Sequence, residues 1–388
     1  MHSTRKVTDD LIYVGGSDRR LSRFENLFPI PRGVSYNSYV LLDDKTVLMD
    51  TADESISRQY IENVVHALDG RPLDYMIVQH MEPDHCAMID AVMSRYPEAK
   101  MVCTAKAAQM FAQFYDLDVS DRTLVVKEGD KLSTGEHTLH FVLAPMVHWP
   151  EVMVTYDEKD KILFSADAFG KFGALDREED WACEARRYYF GIVGKYGVQA
   201  QALLKKAAAL DISVICPLHG PVLKENLSYY INLYNIWSSY GVESEGVVIC
   251  YTSVYGNTKK AAELLKDELE ALGCKKTVLT DLARSDMAEA VEDAFRYGKL
   301  VLATTTYNGD IFPFMRQFID CLTERNFKNR TVGFIENGSW APVAARVMRG
   351  MLEKSKDITY ADTLVTVKSA LNEESRSAIK QLAKELCN

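Results

Sequence analysis

Four ionisable side chains fall within six positions, His80-Met81-Glu82-Pro83-Asp84-His85, and no other feature of the 388-residue sequence constrains the fold as tightly. The segment follows a short apolar run, Tyr75-Met76-Ile77-Val78, that reads as a buried strand, so these residues leave a strand end, turn at Pro83 and open a helix. Burying so many charges unpaired carries a large desolvation cost. Three later positions offer partners: His148 in Pro145-Met146-Val147-His148-Trp149-Pro150, Asp167 in Phe164-Ser165-Ala166-Asp167, and His219 in Pro217-Leu218-His219-Gly220-Pro221. Each follows a strand-like run, where a loop can hold a ligand rigidly. Four imidazoles and three carboxylates suffice for two divalent ions if one carboxylate bridges them, and one hydroxide would complete the charge balance. Oxygen donors mixed with imidazole suit iron with open positions, whereas zinc sites are usually tetrahedral and richer in His or Cys. A single His or Asp at a strand end is more often a structural residue; the crowding is what points to metal. His2, His66, His137 and His140 lie in a tail, a helix and a strand without clustered partners, and read as structural.

Two rhythms run along the chain and change near residues 238–246. Strands are expected at 34–42 and 46–49, forming a hairpin, then at 75–78, 100–103, 123–126, 137–144, 152–156 and 162–165. Helices are expected at 56–68 and 105–115, and 178–237 reads as mainly helical around Val214-Ile215-Cys216. This is the pattern of a layered α/β sandwich. The polar, glycine-containing stretch from Ser238 to Gly246 reads as a linker, dividing domains 1–243 and 244–388. Beyond it, strands at about 247–252, 276–279, 299–304, 331–335 and 362–367 alternate with helices. Five such units predict a doubly wound parallel sheet, which binds ligands beyond the carboxyl ends of its strands.

The first of those ends carries Thr252-Ser253-Val254-Tyr255-Gly256-Asn257-Thr258, whose hydroxyls, glycine and helix start can hold a phosphate. Neither G-x-x-x-x-G-K-[ST] nor G-x-G-x-x-G occurs here, which argues against nucleoside triphosphates and dinucleotides. Thr304-Thr305-Thr306-Tyr307-Asn308-Gly309-Asp310 leaves the third strand, and Glu336-Asn337-Gly338-Ser339-Trp340 leaves the fourth. Each offers a glycine turn and an aromatic, Tyr307 or Trp340, able to border a flat ring, and together the three loops favour FMN.

His-x-Glu-x-Asp-His with spaced His, Asp and His, followed by this phosphate loop, resembles the flavodiiron proteins across nearly the whole chain. The resemblance implies an N-terminal αββα metallo-β-lactamase-like sandwich followed by a flavodoxin-like five-stranded parallel sheet. It implies two irons, with His80, Glu82 and His148 on one, Asp84, His85 and His219 on the other, and Asp167 bridging. In hydrolytic members of the wider superfamily the second motif residue is His, where this chain has Glu82. The activity implied is reduction of O2 to water or of NO to N2O, with FMN passing electrons from a rubredoxin-like protein or a reductase, since no C-x-x-C follows Cys321. A head-to-tail homodimer, or a dimer of such dimers, is implied as well. Trp149 and Tyr196, with the run Arg186-Arg187-Tyr188-Tyr189-Phe190, are candidates to line a gas pocket or donate protons. The rival readings are a dizinc hydrolase with a flavodoxin-like docking module, and a non-catalytic electron carrier or sensor.

With 45 Lys plus Arg against 55 Asp plus Glu, the net charge is -10, which lacks the basic footprint of a nucleic-acid binder. No apolar run reaches the ~18 residues of a membrane span and the N-terminus has no signal-peptide core. Eight scattered cysteines without C-x-x-C fit reduced, mostly buried thiols, so a cytoplasmic location is expected.

Overall fold

The computed structural model describes residues 2–177 and 180–387, so the start of the expected helical region at 178 lies outside the described residues. The chain forms two compact units, Met1–Asn235 and Ile236–Asn388, the division falling inside the helix Leu227–Ser238.

In the first unit a mixed sheet runs in the order Arg5–Lys6, Leu11–Tyr13, Tyr39–Leu42, Thr46–Met49, Tyr75–Ile77, Lys100–Thr104, Thr123–Val126. A second sheet runs in the order Lys131–Ser133, Thr138–Leu143, Met153–Asp157, Ile162–Phe164, Val214–Cys216. Their facing sides form one core: Tyr39, Leu41, Met49 and Ile77 of the first sheet pack with Phe141, Met153, Phe164 and Cys216 of the second. Helices such as Ser57–Leu68, which buries Tyr60, Val64 and Leu68, complete the αββα sandwich. That helix ends where Asp69 and Gly70 turn left-handed, φ 45° and 82°, a conformation glycine adopts at no steric cost.

The single strand expected over 34–42 is two strands. Val34–Tyr36 pairs with Gly16–Asp18, and Tyr39–Leu42 joins the large sheet. The break falls at Asn37-Ser38 because Asn37 turns away, its N–H donating to the Leu218 carbonyl at 2.8 Å. The short N-terminal strands, from Arg5–Lys6 to Phe28–Pro29, are two or three residues each and leave no periodic pattern to read. Within 180–237 the helix Trp181–Tyr188 passes into a π-turn, Tyr189–Val193, before Gly197–Ala207.

The second unit is a parallel sheet in the order Thr277–Asp281, Ser244–Tyr251, Tyr297–Tyr307, Arg330–Asn337, Ile358–Val367, with a two-residue strand, Asp310–Ile311, folded back on the third. The expected linker 238–246 is shorter, since helix persists to Ser238 and strand begins at Ser244. Likewise, Thr304–Tyr307 continues the third strand, leaving Asn308-Gly309 as the turn. Among the described residues, no helix is long and apolar enough to cross a membrane. Cys86, Cys103, Cys216 and Cys250 are buried, and no disulfide joins any of the described cysteines.

His137 does have clustered partners. Its Nδ1 meets the Asp157 carboxylate at 2.9 Å, its Nε2 meets Asp10 at 3.0 Å, and Lys159 Nζ lies 2.9 Å from Asp10, where it fills the place of a cation. Burial pulls the imidazole down, but the Asp157 and Asp10 carboxylates outweigh it and lift it to about 9. A folded value above the unfolded ~6.5 gives stability that is complete below that pH and fades as pH rises through 9. His137→Gln is therefore expected to lose about 1–2 kcal/mol near pH 6, after discounting for solvent screening, and clearly less near pH 10. Urea melts followed by circular dichroism check this, and equal losses at both pH values contradict it.

Candidate metal centre and flavin pocket

The crowded hexapeptide works as a corner. His80 follows the strand Tyr75–Ile77, Glu82 adopts extended geometry as the N-cap, and Pro83 opens the one-turn helix Pro83–Cys86 that carries Asp84 and His85. Proline suits the first helical position, where its missing N–H costs nothing. His148 comes from the turn between Thr138–Leu143 and Met153–Asp157, Asp167 from the end of Ile162–Phe164, and His219 from the end of Val214–Cys216. All seven residues are buried.

Two sets of donor atoms converge. His148 Nε2 lies 3.0 Å from Glu82 Oε2, 3.1 Å from Asp167 Oδ2 and 3.3 Å from His80 Nε2. In the other set, His85 Nε2 lies 3.0 Å from His219 Nε2 and 3.4 Å from Asp84 Oδ2, while Asp167 Oδ1 is 3.2 Å from His85 and 3.6 Å from His219. The two oxygens of Asp167 thus face different sets. Donors about 2.1 Å from a shared ion stand about 3.0–3.4 Å apart, so the spacing suits one ion per set. Two further observations fit metal. The oxygens of Asp84 and Asp167 are buried without a hydrogen-bond donor, and two pairs of imidazole nitrogens point at each other. Burial raises Asp167, but His80 and His85 overcome it and hold the carboxylate well below its usual range. Burial lowers His148, but Asp167 and Glu82 lift it to about 9.

Several supporting residues left no mark on the sequence reading. Glu151 Oε1 pairs with His80 Nδ1 at 2.8 Å and accepts the Met81 N–H at 2.9 Å; a lone acid opening the apolar run from Val152 was its only trace. The Ser35 carbonyl accepts from His219 Nδ1 at 2.7 Å, and Thr51 Oγ1 donates to the His85 carbonyl at 2.6 Å. Such outer contacts set which ring nitrogen faces the metal. Glu25, on a left-handed turn with φ 49°, meets Glu82; burial and that neighbouring charge push its carboxyl up to about 7.

Trp149 packs its ring 5.2 Å from His80. Tyr196 caps the helix Gly197–Ala207 and, among the described residues, has no ring contact with a cluster histidine. Tyr188 does, at 5.3 Å from His219, with a buried hydroxyl lacking a partner, while Tyr189 packs on Phe190 and Tyr234.

In the second unit, a cavity of about 510 Å³ opens at the carboxyl ends of the first, third and fourth strands. Its wall includes Ser253, Val254, Tyr255, Asn257 and Thr258, then Thr305, Thr306, Tyr307, Asn308 and Gly309, then Asn337, Gly338, Ser339 and Trp340. Thr252 lies behind the loop, buried and bonded to Thr304 at 2.6 Å, and Gly256 shapes it with φ 88°. The helix Asn257–Ala271 starts at this loop and points its free N–H groups into the cavity end, which favours a phosphate. Tyr255 and Trp340 are each 92% exposed, so their faces are available to a planar ring. These donors and surfaces fit FMN.

A sandwich bearing a two-set metal cluster, joined to a flavodoxin-type flavin pocket, defines a class of metal- and flavin-dependent proteins. The comparisons agree. Residues 34–220 match the ODP family beta lactamase and residues 248–384 a flavodoxin domain. The chain is 29% identical to the nitric oxide reductase of Moorella thermoacetica, covering 93% of this chain and 92% of that protein. It superposes with TM-score 0.92 on rubredoxin oxygen:oxidoreductase from Desulfovibrio gigas, at 24% identity over 99% of this chain and 98% of the other. The flavodiiron protein of Giardia intestinalis gives TM-score 0.92 at 24% identity, over 100% and 97%. The chain therefore joins an ODP-type beta-lactamase domain to a flavodoxin domain, and it shares this two-domain fold with the flavodiiron proteins.

Glu151→Ala is expected to weaken metal binding about 10- to 100-fold, because His80 loses the partner that orients it. Chelator competition measures this, and unchanged metal retention contradicts it. Ser253→Ala combined with Thr258→Val is expected to weaken FMN binding at least about tenfold, with metal content unchanged, as read by flavin fluorescence titration.

Proposed function

We propose that this chain reduces O2 to water, NO to N2O, or both, at a diiron site held by His80, Glu82, Asp84, His85, His148, Asp167 and His219, with FMN seated among the three loops of the second unit. The two facing oxygens of Asp167, each with its own set of donors, carry this reading. When bound, two ferrous ions and reduced FMN together supply the four electrons that O2 needs to become two waters, or more than the two that convert two NO to N2O and water.

The chain's own residues set the conditions. Trp149, Tyr188 and Phe24 wall the cluster with rings, which admits a small apolar gas and keeps bulk water out. Glu25 meets Glu82 at the edge of the donor set, so a carboxyl group stands beside the cluster. The seven donors are fixed by backbone corners and outer contacts, so they need little reorganisation as charge changes.

Electrons come from a separate rubredoxin-like protein or a reductase. The exposed rings of Tyr255 and Trp340 suit a protein contact at the flavin rim, and a head-to-tail homodimer, alone or paired into a larger assembly, is our reading of how one subunit's FMN reaches the other's irons. Cysteines without disulfides among the described residues fit a reducing cytoplasm. The dizinc hydrolase is not favoured, because Glu82 replaces a histidine donor and the second unit carries a complete flavin pocket.

Asp167→Ala is expected to take metal from two ions per chain to none and abolish gas consumption while FMN stays bound. Retention of both irons in that variant overturns the bridging role. Stopped-flow mixing of the fully reduced, anaerobic protein with O2 and with NO separately tests the activity. The expected result is flavin reoxidation with one O2 consumed per four electrons, or two NO consumed per two electrons. Failure of both gases to reoxidise it refutes the redox reading.

A further inference from the structure

We propose that a cavity in the first unit, remote in sequence from the metal ligands, binds a small phosphate-bearing anion. The cavity measures about 820 Å³, within the ~300–1,000 Å³ usual for small-molecule sites. Four guanidiniums from three separate segments meet there: Arg5 from the first strand, Arg19 and Arg20 after the strand Gly16–Asp18, and Arg58 from the first turn of the helix Ser57–Leu68. The lining carboxylates are Asp18, Asp176 and Glu62, so the local balance is four positive against three negative in a chain whose net charge is -10.

The ion pairs in the wall do not exhaust these arginines. Arg20 meets Asp18 through Nε at 3.2 Å and Nη2 at 3.3 Å and gives Nη2 to the Ser55 carbonyl as well, leaving Nη1; Arg58 Nε meets Glu62 at 3.0 Å, Arg19 pairs with Asp176, and the Arg5 guanidinium lies 4.5 Å over the Tyr13 ring. Of the three acids only Asp18 is buried, and exposed pairs contribute about 0–1 kcal/mol. They steady each guanidinium while leaving donors of its planar fork free, and a phosphate offers more charge and more acceptor oxygens than the carboxylate it would join.

The wall is also built for close approach. A Cβ on Gly15 would stand 2.1 Å from the Tyr36 carbonyl oxygen, so this stretch runs as bare backbone. Ser17 and Ser57 add hydroxyls, and Tyr13, also in the wall, keeps a buried hydroxyl without a protein partner. Ser17 pairs with Ser35, whose carbonyl accepts from His219, so a bound anion would sit one hydrogen-bonded strand from the metal cluster.

Calorimetric titration of the FMN-loaded protein with inorganic pyrophosphate, at constant ionic strength set with chloride, tests the site. FMN fills the other phosphate loop, and the variants below separate heat at this cavity from pyrophosphate drawn to the metal centre. Saturable one-to-one binding is expected. It should weaken at least about tenfold in the Arg5→Gln/Arg58→Gln double variant, whose side chains are exposed and whose folding is checked by circular dichroism and flavin content. Ser57→Asp, which places a carboxylate at the helix start, should abolish it. The absence of saturable binding at millimolar pyrophosphate, or equal binding in both variants, overturns the proposal.

Discussion

The carboxylate of Asp167 is fully buried, lies within 3.6 Å of imidazole nitrogens from four histidines, and has no hydrogen-bond donor on either oxygen. A buried charge of this kind persists only where opposite charge compensates it. The four histidines supply that charge when protonated, and a pair of cations supplies it better, because each set of donors already stands at the spacing of one ion. The corners that deliver the donors follow from this demand. Pro83 turns the chain so that Glu82, Asp84 and His85 face one point, and Asn37 draws Pro217 and Gly220 together with two amide hydrogen bonds of 2.8 Å, holding His219 between them.

Both units place their chemistry at the carboxyl ends of strands. In the first, Tyr75–Ile77, Ile162–Phe164 and Val214–Cys216 each deliver part of the metal cluster. In the second, Ser244–Tyr251, Tyr297–Tyr307 and Arg330–Asn337 deliver the flavin loops. Strand ends are rigid because their hydrogen-bonded neighbours fix them, and the loops beyond are free to vary, so a site there combines precision with chemical choice. Arg330 shows how the second sheet is anchored at its opposite edge: its buried guanidinium donates to the carbonyls of Tyr240 and Gly241 and so holds the chain that enters the unit.

Much of the architecture was legible because alternation of apolar runs with amphipathic helices repeats five times after residue 244, and each strand there is long enough to show its period. Where strands shrink to two or three residues, as in the stretch from Arg5 to Pro29, pattern disappears and only pairing partners define them. The split at Asn37 was hidden for a related reason: Val34–Tyr36 and Tyr39–Leu42 both read as strand, and the break comes from a hydrogen bond to a residue 181 positions later. Of the candidate site, the donor residues stood out by chemical type and crowding. Glu151, Ser35 and Thr51 did not, since a single acid, a backbone carbonyl and a hydroxyl carry no distinctive spacing.

Sequence alone determined which side chains were available: seven buried-type donors, a hydroxyl-rich loop at a helix start, two loop aromatics, and an acidic balance of charge. Those are properties of residue identity and local order, which short-range physics reads directly. Tertiary structure decided how the donors divide into two sets, that the oxygens of Asp167 face both, that Tyr188 rather than Tyr196 packs on a cluster histidine, and that four arginines share one cavity. Each of these depends on contacts between residues tens to hundreds of positions apart, and such distances are set only when sheets pair and a common core closes around them.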